Sequence, residues 1–441
     1  MNSDYISKLF NLILSPYSIV GLVVGLLILE KAKHSQRLSW LLFSLCCFCA
    51  SLNKYEDQWV SAPPLVFPLE QLRGAGRPLT IILLGVLLLL GFMTKTKWRQ
   101  IFIPEAVKYL ILVQVVFFIK IIAYGDIVFA FLAGFTFAGL ATMVIKGPAC
   151  WLQDGKSFHL GVWSLGMVGV IFGIINTFQA SINMSALTFS HGRFSGTTGN
   201  AQHAAVLLAA TIPSIIFLIE TNKKWNLTKL VWVGSLILVS YFLFLTGSRT
   251  GVSMAIISVL SFYRHRVPKL IGFGFIVFAI AVLVSPFLDL DTTAINAPIT
   301  ERYISAGNSR EGAWLGLWND FISYPLFGAP LRGGRLGFGE NSWLAVGSTA
   351  GLLGFIPMLM FGFECLKMLF KLDNLYRRES RYHLQVSTVI AALASFLVGS
   401  FTEAFLLGNL TFPVMALLVY LSLGKYLLDV DRVHSQYQDV S

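Results

Sequence analysis

The chain has 441 residues, 56% of them hydrophobic and 12% charged, with a mean hydropathy of +0.72. Ordinary soluble domains carry roughly 25% charged residues, so this composition excludes a soluble globular protein and describes a polytopic membrane protein. The net charge of +11 does not mark a nucleic-acid binder, because the basic residues sit in short links between apolar runs and form no polyanion-binding stripe.

Residues 1–30 lack a basic leader and a clear small-residue cleavage site, so their apolar part is expected to stay as a helix. Apolar runs follow at 10–29, 39–52, 78–93, 108–124, 127–145, 160–180, 202–220, 229–246, 250–263, 269–288, 343–366, 384–403 and 405–424. Crossing a ~30 Å hydrocarbon core takes about 20 residues, so 39–52 and 250–263 are short. The expectation is an all-α membrane protein of about 12–14 transmembrane helices, one integral domain over 1–441. Cys46, Cys47, Cys49, Cys150 and Cys365 show no zinc-like or CxxC spacing and read as small buried hydrophobes.

Every second link is basic. Lys31, Lys33 and Arg37 lie in the first, Lys95, Lys97 and Arg99 in the third, and Arg264, Arg266 and Lys269 in the ninth. The positive-inside rule turns these links to the cytoplasm, and the links at 53–77, 181–201 and 289–342 outward. Lys120, Asp126, His191, Arg193, His203, Arg249, Glu340 and Glu403 then fall near the outer surface. For Lys120, Asp126 and His203, a snorkelling or interfacial side chain is the favoured reading. For the set, an outward-facing polar cavity is favoured, because ionisable groups at helix ends are costly and usually functional.

Three outward segments carry arginines beside turn residues. The longest loop, 289–342, contains Arg302, Arg310, Arg332 and Arg335 and ends at Glu340-Asn341. Within it, 309–322 predicts an amphipathic helix. Asn308 or Ser309 would cap it, and Trp314, Leu317, Trp318, Phe321 and Ile322 would form one apolar face on the outer leaflet. Tyr324-Pro325 would end it, and Gly328, Pro330, Gly333, Gly334, Gly337 and Gly339 would make a bent segment behind it. The second segment, RFSGTTGN, places Arg193 and Asn200 among glycines. A guanidinium fork there suits phosphate oxygens. The third, TGSRT, places Arg249 at a junction of two helices.

RFSGTTGN, then TGSR at a helix end, then a long outer loop with REGAW, PLFG and ENSWL followed by AGLLG resembles the O-antigen ligase and O-antigen polymerase superfamily of bacterial inner-membrane glycosyltransferases. The resemblance covers about 160–425. It implies a metal-independent enzyme without cofactor that moves an oligosaccharide from a polyprenyl diphosphate to a sugar hydroxyl at the periplasmic face. By that resemblance Arg193, Arg249 and Arg310 contact the diphosphate. Ligases of the family typically carry a histidine where this chain has Glu340, which favours a polymerase over a ligase that caps a lipid core.

The residues are compatible with that chemistry on their own. No P-loop or dinucleotide fingerprint is present, and an outer-face transfer needs a donor that brings its leaving group. Glu340 is the expected base for the acceptor hydroxyl, and the three arginines are the expected stabilisers of the departing diphosphate. A single base without a covalent intermediate predicts inversion at the anomeric carbon. Arg302, Arg332, Arg335, Asn341, Asn200 and Glu403 are expected at the substrate. Expected partners are the lipid-linked oligosaccharide, an acceptor glycan or lipid core, membrane lipid and a chain-length regulator. A transporter would instead predict inverted repeats and polar residues at the membrane midplane. A purely structural membrane protein would leave the arginine loops unexplained.

Overall fold

The structure is a computed structural model, and it describes residues 27, 30–52, 64–93, 104–125, 127–151, 155–189, 192–266, 268, 269, 272, 274, 310–331, 340–407 and 410–438. It is an all-α bundle. In chain order the helices are α1 (Gln36–Ser51), α2 (Leu69–Gly74), α3 (Gly76–Met93), α4 (Glu105–Ala123), α5 (Ile127–Trp151), α6 (Gly155–Ile182), α7 (Ala201–Thr221) and α8 (Leu227–Leu245). They continue with α9 (Arg249–Phe262), α10 (Glu311–Ser323), α11 (Ser342–Arg378), α12 (His383–Ser400) and α13 (Phe412–Gln438). Eight helical stretches are long and apolar enough to cross a membrane. The runs at 10–29 and 269–288 lie outside the described residues, apart from the isolated positions above; each other run holds a helix over most of its length.

Because no aqueous core drives these helices together, they associate through side-chain packing and scattered hydrogen bonds. One apolar cluster runs from Ala32 to Leu427. The centre is α7, whose apolar window is 83% buried, against 28% for α8 at the rim. Inside, the Tyr420 hydroxyl on α13 pairs with Ser214 on α7 at 2.6 Å, satisfying two polar groups that hydrocarbon would strand. The 14-residue α9 is only ~21 Å long by helical rise. It packs against both α7 and α12, so its neighbours enclose it despite its length.

The bundle has two chemically different ends. At one, Glu220 closing α7 accepts from the Tyr263 hydroxyl at 3.0 Å and pairs with Lys269. There Asp373 on α11 pairs with Arg264 and Arg377, each at 3.0 Å. The basic residues after α9 and those at the end of α11 therefore meet in one place. The opposite end gathers the turns after α6, α8 and α12 and the segment around α10.

Four sequence expectations change here. The last apolar run is not helical from 405: a 3₁₀ turn occupies Phe405–Leu407 and α13 begins at Phe412, with Pro413 in its first turn, where a missing N–H costs nothing. The amphipathic helix starts at Glu311, and its N-cap is Arg310, whose side chain makes no capping bond, in place of Asn308 or Ser309. Its apolar face is not given wholly to the leaflet surface. Leu317 is buried and Phe321 packs against Phe355 of α11 with tilted rings whose centres are 5.2 Å apart, while Trp318 and Ile322 stay exposed. Lys120 does more than snorkel: its ammonium donates to the carbonyls of Phe327 (2.8 Å), Ala329 (2.7 Å) and Thr349.

Those carbonyls surround a break in α11. Gly351 has φ 60° and ψ −155°, outside any helix. The chain behind α10 enters the break, with Leu352 N–H donating to the Pro325 carbonyl and Ala329 N–H to the Ser348 carbonyl, both at 2.7 Å. Gly328, at φ 74°, completes the bend expected there; residues 332–339, with the remaining glycines, lie outside the described residues.

Candidate functional site

Three segments far apart in sequence converge on the turn at 246–250. This turn closes α8 and opens α9, with Ser248 capping α9 by accepting from Gly251 N–H at 3.3 Å. Arg249 is its exposed residue, in the first turn of α9. The helix dipole disfavours a cation at that position, so Arg249 is not there for helix stability.

Arg193 reaches the same turn from the other side. It sits on β2 (Arg193–Phe194), paired antiparallel with β1 (Thr188–Phe189) in a two-stranded hairpin. The anchor is Phe194, fully buried and stacked on Phe242 of α8 with ring centres 4.6 Å apart. That leaves Arg193 half-buried, its Nε donating to the Thr246 carbonyl at 2.7 Å. The bond satisfies a carbonyl at the α8 C-terminus, where a cation is electrostatically favoured.

Arg310 arrives from α10. Its Nη1 donates to the Thr250 hydroxyl at 3.1 Å and to the Thr402 carbonyl, and its Nη2 bonds Glu403. Its Nε lies 2.9 Å from Glu340 Oε2. The ion-pair distance is short, yet that oxygen accepts no aligned hydrogen bond among the described residues and is shielded from solvent. The contact is an ion pair. One guanidinium thus holds two carboxylates, Glu340 and Glu403.

Both carboxylates are fixed through their backbones. The Glu340 carbonyl accepts from Trp314 Nε1 at 3.4 Å, and the Glu403 carbonyl from the Ser342 hydroxyl at 2.6 Å. Trp343 Nε1 donates to Ser400 Oγ at 2.9 Å, tying the start of α11 to the end of α12. Burial pushes the Glu403 carboxyl above the ordinary range; the Arg310 guanidinium pulls it down, and Glu340 raises it further.

The structure thus brings Arg193, Arg249, Arg310, Glu340 and Glu403 to one turn. Asn200 and Asn341 border it as N-caps: Asn200 accepts from Gln202 N–H at 2.8 Å and Asn341 from Trp343 N–H at 2.9 Å. Their Oδ1 atoms are occupied by α7 and α11, leaving only the amide NH₂ to face a ligand. Arg302, Arg332 and Arg335 lie outside the described residues, as do Asp126 and His191. Sequence reasoning gave neither Thr250 nor Thr402 a part as a partner of Arg310. The signal for Thr402 was its place beside Glu403 just past a helix end. No protein-family model matches this chain, and no curated protein matches its sequence.

Proposed function

We propose that the protein is a membrane glycosyltransferase that polymerises oligosaccharide repeat units, carried on a polyprenyl diphosphate, onto a sugar hydroxyl. The observation that carries this reading is the convergence of Arg193, Arg249 and Arg310 with two carboxylates on the turn at 246–250. In the proposed enzyme, 12–14 helices span the bacterial inner membrane and this end of the bundle faces the periplasm, with the basic links inside.

Roles divide by geometry. Arg310 is committed to Glu340, Glu403, Thr250 and Thr402, so its work is to orient the carboxylates. Arg193 and Arg249 then take the larger share of the negative charge that develops on the departing diphosphate. Glu340, about a third exposed, takes the proton of the attacking hydroxyl. The new C–O bond forms at the anomeric carbon as the bond to the diphosphate oxygen breaks, and the lipid diphosphate leaves with the electron pair. A single displacement inverts the anomeric centre.

The test is complementation of a strain lacking the cognate polysaccharide activity, with the glycan read on a gel. Glu340→Gln and Arg193→Ala are compared with Trp318→Phe, an exposed side chain on α10, at matched protein levels. The polymerase reading expects one repeat unit on the lipid core from the first two and normal ladders from the third. Accumulation of lipid-linked polymer with none on the core means a ligase. Normal glycan from both site variants overturns the site.

A further inference from the structure

At the bundle end opposite Arg310 lies a polar cavity with no part in the proposed transfer. Its volume is about 230 Å³, and Lys367, Lys371, Arg378 and Lys425 line it together with Glu105 and Glu364. Four cations face two carboxylates, a local excess of two positive charges (four minus two). Along α11, Lys371 lies 29 residues beyond Ser342, roughly 40 Å by helical rise, so this cavity and the arginine turn cannot share a ligand.

Most of the lysines near it are partly neutralised. Lys367 pairs with Glu364 at 3.0 Å and Lys425 with Asp429 at 2.8 Å. Lys371 is exposed and makes no ion pair or hydrogen bond among the described residues. An ammonium beside a cavity, uncompensated, at the margin of a hydrocarbon-facing helix is set to receive an anion. The first turn of α4 borders the cavity at Glu105 and Ala106, and the Glu105 carboxylate is itself paired with Lys108 at 2.7 Å.

The cavity is smaller than the roughly 300–1,000 Å³ of typical small-molecule sites, which suits a headgroup better than a nucleotide or a sugar chain. The same helix supplies an apolar approach. Phe363, Leu366 and Phe370, which precede or interleave with Lys367 and Lys371, are 59%, 49% and 71% exposed. A ligand whose phosphate lies among the lysines can run its hydrocarbon along those side chains. A free phosphate has nothing to gain from them.

We infer that this cavity binds the headgroup of an anionic diacyl phospholipid, its phosphodiester held by Lys371, Lys367, Arg378 and Lys425 and its acyl chains lying along Phe363, Leu366 and Phe370. The site is independent of the glycosyl-transfer reading and stands or falls separately.

The test uses the full-length protein in a non-ionic detergent. It is titrated with dioctanoyl phosphatidylglycerol, dioctanoyl phosphatidylcholine or inorganic phosphate, and native mass spectrometry counts bound ligand. The variants are Lys371→Gln, whose lost side chain has no partner to orphan, Lys367→Gln/Lys371→Gln, and the control Lys223→Gln/Lys224→Gln at another basic link. The expected result is one phosphatidylglycerol bound per chain in preference to phosphatidylcholine. Its affinity should fall several-fold in the single variant and roughly tenfold or more in the double, with the control unchanged. A melting midpoint measured without lipid shows that the variants are folded. Equal binding of phosphatidylcholine, unchanged affinity in the folded single variant, or inorganic phosphate competing at the same concentration as the lipid would each overturn the inference.

Discussion

Arg310 and Glu403 form an ion pair across 93 residues of sequence, and both are largely withdrawn from water, at 16% and 10% side-chain exposure. A buried pair is poor evidence for stability, because desolvation of two charges offsets much of their attraction. Its value here is positional. The guanidinium that holds Glu403 also holds Glu340, Thr250 and Thr402, so the three segments at 250, 340 and 402–403 take their relative placement from one planar group.

Arg310→Lys tests this. An ammonium keeps the charge but has no fork, and from one point it cannot bond partners on four sides. The expected outcome is loss of polymer formation by two orders of magnitude or more, on the order of 3 kcal/mol in transition-state stabilisation. Protein should still be detected in the membrane, since one cation remains near the carboxylates. Near-normal ladders from this variant would mean that charge alone, and not the fork, is what the site needs.

Glu403 gives the site a pH dependence. Its carboxyl sits above the ordinary glutamate value of ~4.3 because of burial, with the Arg310 attraction too weak to offset it. The folded protein therefore binds this proton more tightly than the unfolded chain does. The contribution to stability is fully present below the unfolded value and is lost as pH rises through the raised folded one. Lowering pH across that window should raise the melting midpoint of the wild type relative to Glu403→Gln in detergent. Over the same range polymerisation should fall, because neutral Glu403 holds Arg310 less firmly. Parallel midpoint curves for the two proteins would show that Glu403 does not titrate there.

Apolar run length carried the helices, because it is a local property of the chain. The start of α13 was not legible, since Phe405-Leu406-Leu407 has the hydropathy of a helix whichever backbone it adopts. Arg193, Arg249, Arg310 and Glu340 stood out as charges that an apolar chain does not place idly. What bonds them together did not. The partner of Arg310 lies 93 residues away, and the acceptors at Thr246 and Thr402 are backbone carbonyls, which every residue carries. Lys120 was misread for the same reason: three carbonyls leave no mark in a sequence.

The break in α11 supplies the last prediction. Gly351 lies inside an apolar stretch that would otherwise continue as helix, yet its φ of 60° with ψ of −155° is a conformation open to glycine almost alone. A Cβ there would come within 2.4 Å of the Leu326 backbone, and one on Gly328 equally close to Thr349. Gly351→Ala must therefore either expel the chain segment that enters the break or straighten α11. Either response swings its first turns, and with them Glu340, away from the turn at 246–250. The expected cost is about 3 kcal/mol or more, with little folded protein recovered in detergent. Lys120→Met attacks the same joint more gently, removing the donor to the Phe327, Ala329 and Thr349 carbonyls; the first of these bonds is open to solvent and the others are only partly buried, so the cost should be roughly 1–3 kcal/mol in all. It should leave the bundle folded but raise hydrogen exchange through residues 324–331 and reduce polymer formation. If exchange there is unchanged in the methionine variant, Lys120 is only an interfacial cation and the joint is held by its glycines.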